Sequence, residues 1–311
     1  MENQSKILLA VDGSEESLNA VRHIGLVFSK QQQIVLFHVM SDVPEAFKDL
    51  MEEEFIDTRQ LPLEEWRQEQ ETFITAFMEK ARELLIDAGF EPEAIEVKTR
   101  NEKTGIARDI HDESLRGYAA LVVGRTGVSD IENISMGSVA SKLAEVTGHI
   151  PIIIVGAHSN SKKILLALDG SKGSMRAVKF AGSVVDSANC ELMLCHVVRP
   201  LSMHHLSTNE RFVSKHEKEW IDVSQRKIVP VFIEAKKQLM QAGVSEENLS
   251  SEILTYESSR AAAIVKAAGK GGYDTIAMGR RGFTSVEAFP SGRVCRKILH
   301  FAYRPALWIA N

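Results

Sequence analysis

The sequence predicts an α/β protein of two tandem doubly wound domains, each an open five-stranded parallel sheet with helices on both faces. Three observations predict it. The chain has 311 residues, about twice the length of an ordinary domain, so two cores of usual size are expected. Residues 7–21, ILLAVDGSEESLNAV, lie over residues 164–178, ILLALDGSKGSMRAV, with ten identities in fifteen ungapped positions, so the halves are one duplicated fold. Within each half, short continuous apolar runs alternate with stretches of helical periodicity. Strands buried on both faces and joined by helical crossovers make a parallel sheet.

Each copy opens on an apolar run, turns at Asp-Gly-Ser and continues into an amphipathic stretch in which Leu18, Val21 and Ile24 recur at helical spacing. This reads as strand, tight turn, helix. A second strand is expected at 34–39 and 192–198, and long helices at 66–88 and roughly 231–242. The intervening segments 40–65 and 199–229 have weak periodicity and are expected to be loops with at most an extra helical turn. A third strand (95–99; 251–256), a helix (104–116; 259–270) and a fourth strand (120–124; 275–279) follow. A helix starting near Gly137 or Gly292 and a final strand complete each copy. VLFHV near His38 matches MLCHV near His196, YAALVVGRTG matches YDTIAMGRRG, and HIPIIIVG matches YRPALWIAN. Domains are expected at 1–156 and 161–311, joined by the short polar connector GAHSNS, which keeps them close.

Hydrophobic residues at 44% and charged residues at 25% are ordinary for a globular protein and exclude a disordered or fibrous chain. No apolar run approaches the roughly 20 residues that span a bilayer, and MENQSKILLAVDG lacks the order of a signal peptide. A cytoplasmic location with no membrane partner is the expectation. Cys190, Cys195 and Cys295 stand at no metal-binding or redox spacing, so reduced core thiols are expected, with neither a disulfide framework nor a metal site. The net charge of −5 conceals an asymmetry. Divided after Gly156, the first half holds 28 Asp and Glu against 15 Lys and Arg, and the second 14 against 22, giving −13 and +8. Mutual attraction of the halves and binding of a small anion account for this better than nucleic acid does, since the basic residues are scattered and not interleaved with aromatics.

Chemistry concentrates in residues 124–138, GRTGVSDIENISMGS. Ligands of open parallel sheets sit outside the carboxyl ends of the strands, where strand order reverses. Gly124 and Gly127 clear side chains from a place where phosphates can press on backbone. Gly137 and Ser138 begin a helix whose free amides and positive end favour an anion. The Ser138 hydroxyl would donate to a phosphate oxygen or cap the helix. The spacing is neither that of a Walker A loop nor that of the dinucleotide fingerprint. The competing reading makes the glycines a plain strand-to-helix turn and Asp12 and Ser14 caps of the first helix.

Over nearly its whole length the chain resembles the universal stress protein (UspA) family, as a tandem two-domain member. ATP-binding members carry G-x-x-G-x(9)-G-S/T, matched by Gly124, Gly127, Gly137 and Ser138, and an aspartate at the end of the first strand, matched by Asp12. The resemblance implies a Rossmann-like, adenine nucleotide alpha hydrolase-like fold and ATP as cofactor, with or without Mg2+. It implies that Asp12 and the backbone near Val39 hold adenine and ribose, that Val123 lines the adenine slot, and that the glycine loop takes the phosphates. In the second half Asp169, Val197, Gly279, Gly282 and Gly292 keep the pattern, but Arg293 replaces the serine and Pro290 shortly precedes the helix. Arg293 either clamps a phosphate or fills the pocket itself. The resemblance also implies that the last strands, PIIIV and PALWI, pair edge to edge in an internal pseudo-dimer. Association of two chains is left open.

The function this implies is ATP binding in domain 1 as a regulator of the stress response, with slow hydrolysis open and no catalytic residue assigned. The alternative is a stress-related scaffold or interaction protein with vestigial nucleotide sites or an apolar ligand in its cavity. Other residues have plainer readings. His38 and His196 are expected to be satisfied, half-buried histidines. His204 and His205, adjacent, point to opposite faces of a strand and do not share a metal there. MEEEF is a solvated face, Met193, Met240 and Met278 fill core, and Arg280, Arg281, Arg296 and Lys297 are solvated charges.

Overall fold

The computed structural model describes residues 6–41, 43, 63–127, 136–156, 160–200, 210–255, 259–282 and 291–311. Its first half runs β1 (Lys6–Ala10), α1 (Glu15–Val27), β2 (Gln33–Met40), α2 (Leu63–Asp87), β3 (Ile95–Asn101), α3 (Ile106–Ser114), β4 (Ala120–Gly124), α4 (Ser138–Val146) and β5 (Ile152–Val155). The second half repeats it as β6 (Lys163–Ala167), α5 (Lys172–Val184), β7 (Glu191–Val197), α6 (Glu210–Gln241), β8 (Leu249–Leu254), α7 (Arg260–Gly271), β9 (Thr275–Gly279), α8 (Arg293–Phe301) and β10 (Ala306–Ala310). The strands form one ten-stranded sheet in the order β3-β2-β1-β4-β5-β10-β9-β6-β7-β8. Pairing is parallel throughout each half and antiparallel only at β5–β10.

Local sequence explains the units. Central strands such as KILLA and ALVVG are apolar on both faces because helices cover both. Gly13 (φ +91°) and Gly170 (φ +82°) turn the chain out of β1 and β6 through a conformation that glycine adopts without strain. Ser14 and Ser171 then cap α1 and α5, each side chain accepting from the amide three residues on. From β1 the chain steps outward to β2 and β3, then returns past β1 to β4. Strand order therefore reverses between β1 and β4, and likewise between β6 and β9.

One face of the sheet packs α1, α2, α5 and α6, and the other α3, α4, α7 and α8; each apolar layer crosses both halves without a break. Continuity comes from the edge pairing expected of PIIIV and PALWI, with Leu307 opposite Ile154, Trp308 opposite Ile153 and Ile309 opposite Ile152. Behind it the ends of α1 and α5 meet reciprocally. The Ser29 amide donates to the Val184 carbonyl (2.8 Å) and the Asp186 amide to the Val27 carbonyl (2.9 Å). Trp308 fills the seam edge-on, with ring centroids 5.3 Å from Phe28, 5.7 Å from Phe180 and 5.9 Å from His23. Its indole nitrogen donates to Nε2 of His23 at 3.0 Å.

Two expectations are corrected. Residues 210–229, expected to be loop, are helix: α6 starts at Glu210 and runs through Pro230. A proline inside a helix costs a hydrogen bond yet does not end it here. Exposed apolar residues such as Val223, Val229 and Ile233 blur the amphipathic pattern that would have revealed the helix. Met193 and Met278 are core, but Met240 is 46% exposed. All three cysteines are buried, and burial pushes their thiols up, Cys190 to about 11 and Cys195 and Cys295 to about 12. Residues 51–55 (MEEEF), His204, His205 and Pro290 lie outside the described residues. No helix among the described residues is long and apolar enough to cross a membrane.

Candidate functional site

At the reversal point of the first half, Ala10 of β1 stands opposite Val123 of β4, so the residues that leave these strands meet. Asp12 and Gly127 are in contact: a side chain on Gly127 would place its Cβ 2.6 Å from Oδ2 of Asp12. Oδ1 of Asp12 accepts from the Ser14 amide (3.0 Å) and hydroxyl (2.5 Å). Asp12 thus tightens the turn, and Ser14 alone caps α1. The carboxylate stays exposed, with Oδ2 turned toward the glycine loop.

Each motif glycine answers a close approach of backbone. At Gly124 a Cβ would meet Glu16 and the Ser17 amide at 3.2–3.3 Å, so β4 rests on the first turn of α1. At Gly137 it would meet Cα of Thr126 at 3.3 Å, and the Gly137 amide donates to the Arg125 carbonyl (2.8 Å), closing the base of the loop. Helix α4 starts directly above. Gly137 is its cap and makes no side-chain bond, and Ser138, its first residue, is exposed and does not cap. Among the described residues no side chain caps these first-turn amides, which form an anion-attracting end.

Val39 and Val123 differ from Asp12, Gly127, Gly137 and Ser138. Both are 4% exposed and lie with Ala10 and Phe37 in an apolar layer, so their side chains are core. His38 is brought beside them. Its Nδ1 donates to the Val11 carbonyl at 2.7 Å, and burial lowers its pKa against the raising effects of that bond and of Asp12.

The second half repeats the construction. Asp169 accepts from the Ser171 amide (2.9 Å) and touches Gly282, and Gly279 lies against Gly173 and the Ser174 amide. The Gly292 amide donates to the Arg280 carbonyl (2.8 Å). Val197 is buried, His196 donates from Nδ1 to the Leu168 carbonyl (2.7 Å), and Arg293 is the exposed first residue of α8.

Sequence reasoning missed what stands between the motif glycines. Arg280, expected to be solvated, is 6% exposed and reaches across the seam. Its guanidinium donates to the Ala144 and Thr147 carbonyls (2.7 Å to the latter) at the end of α4, and to Oδ1 of Asn311. Arg125 reciprocates, donating to the Leu299 carbonyl of α8 with its guanidinium 5.8 Å from the Tyr303 ring. Each half thereby caps the last helix of the other with a cation, the charge that a helix carboxyl end favours. The signal was the arginine shared by GRTG and GRRG. Also missed was Glu113, fully buried and bound by Lys98 (2.6 Å), Arg100 (2.8 Å), Arg116 (3.3 Å) and the Tyr118 hydroxyl (2.9 Å). Those cations are dispersed through residues 98–116, and no spacing rule links them.

The sequence model of the Universal stress protein family matches residues 4–156 and again residues 160–308. Among solved structures, a universal stress protein from Archaeoglobus fulgidus DSM 4304 is 17% identical, with 100% of this chain and 99% of that one covered at a TM-score of 0.58. A putative universal stress protein from Pseudomonas aeruginosa UCBPP-PA14 is 12% identical, with 98% and 92% covered at 0.51. A universal stress protein in complex with cAMP is 20% identical, with 48% and 96% covered at 0.34. Comparison with curated proteins gave no match. The chain belongs to the universal stress protein family and carries two tandem copies of its domain.

Proposed function

We propose that the first half, residues 1–156, binds ATP at the edge between β1 and β4, and that the bound nucleotide makes this cytoplasmic protein a regulator of the stress response. The carrying observation is the meeting of Asp12 with Gly127 beside the uncapped start of α4, at the point where strand order reverses. The residues present fit the ligand. Asp12 has an exposed carboxylate for a ribose or adenine hydrogen, Val39 and Val123 stand at the ends of the strands beside it where the family likeness puts the base, and the α4 amides with Ser138 offer donors to phosphate. Asp12 is the carboxylate of this set, so Mg2+ would arrive with the phosphates and not in a protein cage. Slow hydrolysis is compatible with this arrangement, and no residue is assigned as its base.

A specific observation favours a second reading, that of a scaffold with vestigial sites. Contacts within the protein already call for glycine at Gly124, Gly127 and Gly137, and the second half keeps such contacts although its motif serine is Arg293. Calorimetry and thermal shift with ATP, ADP and AMP separate the two. ATP is expected to bind and raise the midpoint by mass action. Binding is expected to be lost in Gly137→Val and in Asp12→Ala, with circular dichroism checking that each variant is folded. Silence toward all three nucleotides, with none co-purifying by native mass spectrometry, would leave the scaffold.

A further inference from the structure

Three arginines gather at the carboxyl edge of the second half, at places where the first half has no arginine. Arg199 follows β7 by two residues, Arg260 is the first residue of α7 and Arg293 the first of α8. At the same places the first half carries Ser41, Ile106 and Ser138. Two helix N-termini and one strand end thus deliver these side chains to one edge, beside the reversal point between β6 and β9.

Among the described residues the cluster is tied down yet holds no ion pair. Nε of Arg260 lies 3.5 Å from the Val197 carbonyl at the end of β7. The carbonyl of Arg199 accepts from the Trp220 indole (3.0 Å), which pins this turn to α6. Nε of Arg199 is buried with no hydrogen-bond partner among the described residues. Asp169 is the carboxylate that faces the arginines, and its Oδ1 already holds the Ser171 amide. Among the described residues none of the three arginines is held in an ion pair. Burial and the charges of Arg199 and Arg293 pull the Arg260 guanidinium down, and Asp169 opposes them.

Like charges so placed repel one another, and a cation at a helix N-terminus also opposes the helix dipole. An anion reverses both effects, and planar guanidinium forks match phosphate oxygens two at a time. We propose that this edge of the second half is a binding site for a polyphosphate anion, an inorganic triphosphate or the phosphate tail of a nucleoside triphosphate, held by Arg199, Arg260 and Arg293 and not by recognition of a base. The proposal does not rest on the nucleotide reading of the first half. It makes the two copies a charge-selective site and a base-selective site on one sheet.

The test is calorimetry on the full chain carrying Gly137→Val, which isolates the second half. Sodium tripolyphosphate, ATP and adenosine are the probes, at 50 and 200 mM salt. Tripolyphosphate and ATP are expected to bind with one site per chain and affinities within tenfold of each other, weakening with salt, while adenosine gives no heat. Arg260→Ala and Arg293→Ser, both at exposed positions, are each expected to weaken tripolyphosphate at least tenfold, with the ligand-free midpoint of unfolding equal to or above that of the parent chain. Tripolyphosphate silence, or affinity indifferent to both substitutions, would overturn the proposal. So would adenosine binding at this site. Failure of the first-half reading registers separately, as an ATP stoichiometry that Gly137→Val does not change.

Discussion

Replacing His23 with phenylalanine, the residue at the matching place in the second half (Phe180), gives a chain whose stability responds differently to acid. His23 is fully buried, and its Nε2 accepts from the Trp308 indole, so it is neutral in the fold. Burial lowers its pKa from 6.5 to about 3. Once unfolded, the same histidine titrates near 6.5. Because the folded value is the lower one, the contribution is fully present above about pH 6.5 and is lost as pH falls toward the folded value. One proton gives about 1.4 kcal/mol per pH unit, so about 2 kcal/mol is lost between pH 7 and pH 5.

At pH 7 the substitution itself is nearly neutral. It strips the buried indole N–H of its acceptor, which costs about 1–3 kcal/mol, and removes the buried Nδ1 of His23, which has no partner among the described residues and costs a similar amount. The stabilities are therefore expected to be close at pH 7, with His23→Phe ahead by about 2 kcal/mol at pH 5. Urea unfolding followed by tryptophan fluorescence at pH 7, 6 and 5 measures the difference, in which all other titrating groups cancel. A difference that stays constant with pH would refute the reasoning, since it would mean that the folded protein takes up this proton as readily as the unfolded chain.

Glu113→Ala leaves Lys98, Arg100 and Arg116 around an emptied buried site and is expected to cost about 3–5 kcal/mol in urea unfolding. Burial raises the Glu113 pKa, but its bonds from Lys98 and Tyr118 hold it below the usual carboxylate value, so its contribution is present above about pH 4.5 and fades on further acidification. Arg280→Ala uncaps the end of α4 and is expected to cost about 2–4 kcal/mol, with faster hydrogen exchange in the last turn of α4. Unchanged exchange there would show that the arginine's reach across the seam is energetically idle. Gly127→Ala pushes against Asp12 and is expected to weaken ATP at least tenfold while the fold survives, because the carboxylate can swing into solvent. Equal ATP affinity in calorimetry would detach Asp12 from the site.

Much of this was legible from local pattern. The repeat of ILLAVDGS in ILLALDGS, the apolar runs and the Asp-Gly-Ser turns located β1, β6, α1 and α5, and both fourth strands, Ala120–Gly124 and Thr275–Gly279, coincide with their expected bounds. The edge pairing of the last strands was implied by family likeness and is present in the sheet. Helix α6 was shortened because exposed apolar residues, Val223, Val229 and Ile233, stand among its buried ones, Ile221, Ile228 and Phe232, and blur the periodicity that marks a helix packed on one side. Arg280 was misjudged because an arginine's usual place is solvent, and its partners at the end of α4 lie more than 130 residues away in the chain.

By itself the sequence determined the duplicated α/β architecture and the spacing of Gly124, Gly127, Gly137 and Ser138 after a strand, since turns, caps and apolar periods are properties of neighbouring residues. Tertiary structure alone decided that Asp12 reaches Gly127, that Arg125 and Arg280 exchange places across the seam, that Trp308 finds His23, and that Arg199, Arg260 and Arg293 share an edge. Such meetings depend on which strands lie side by side and on the crossing of α1 with α5. Those are settled by the joint burial of two apolar layers, a quantity no short stretch of chain contains.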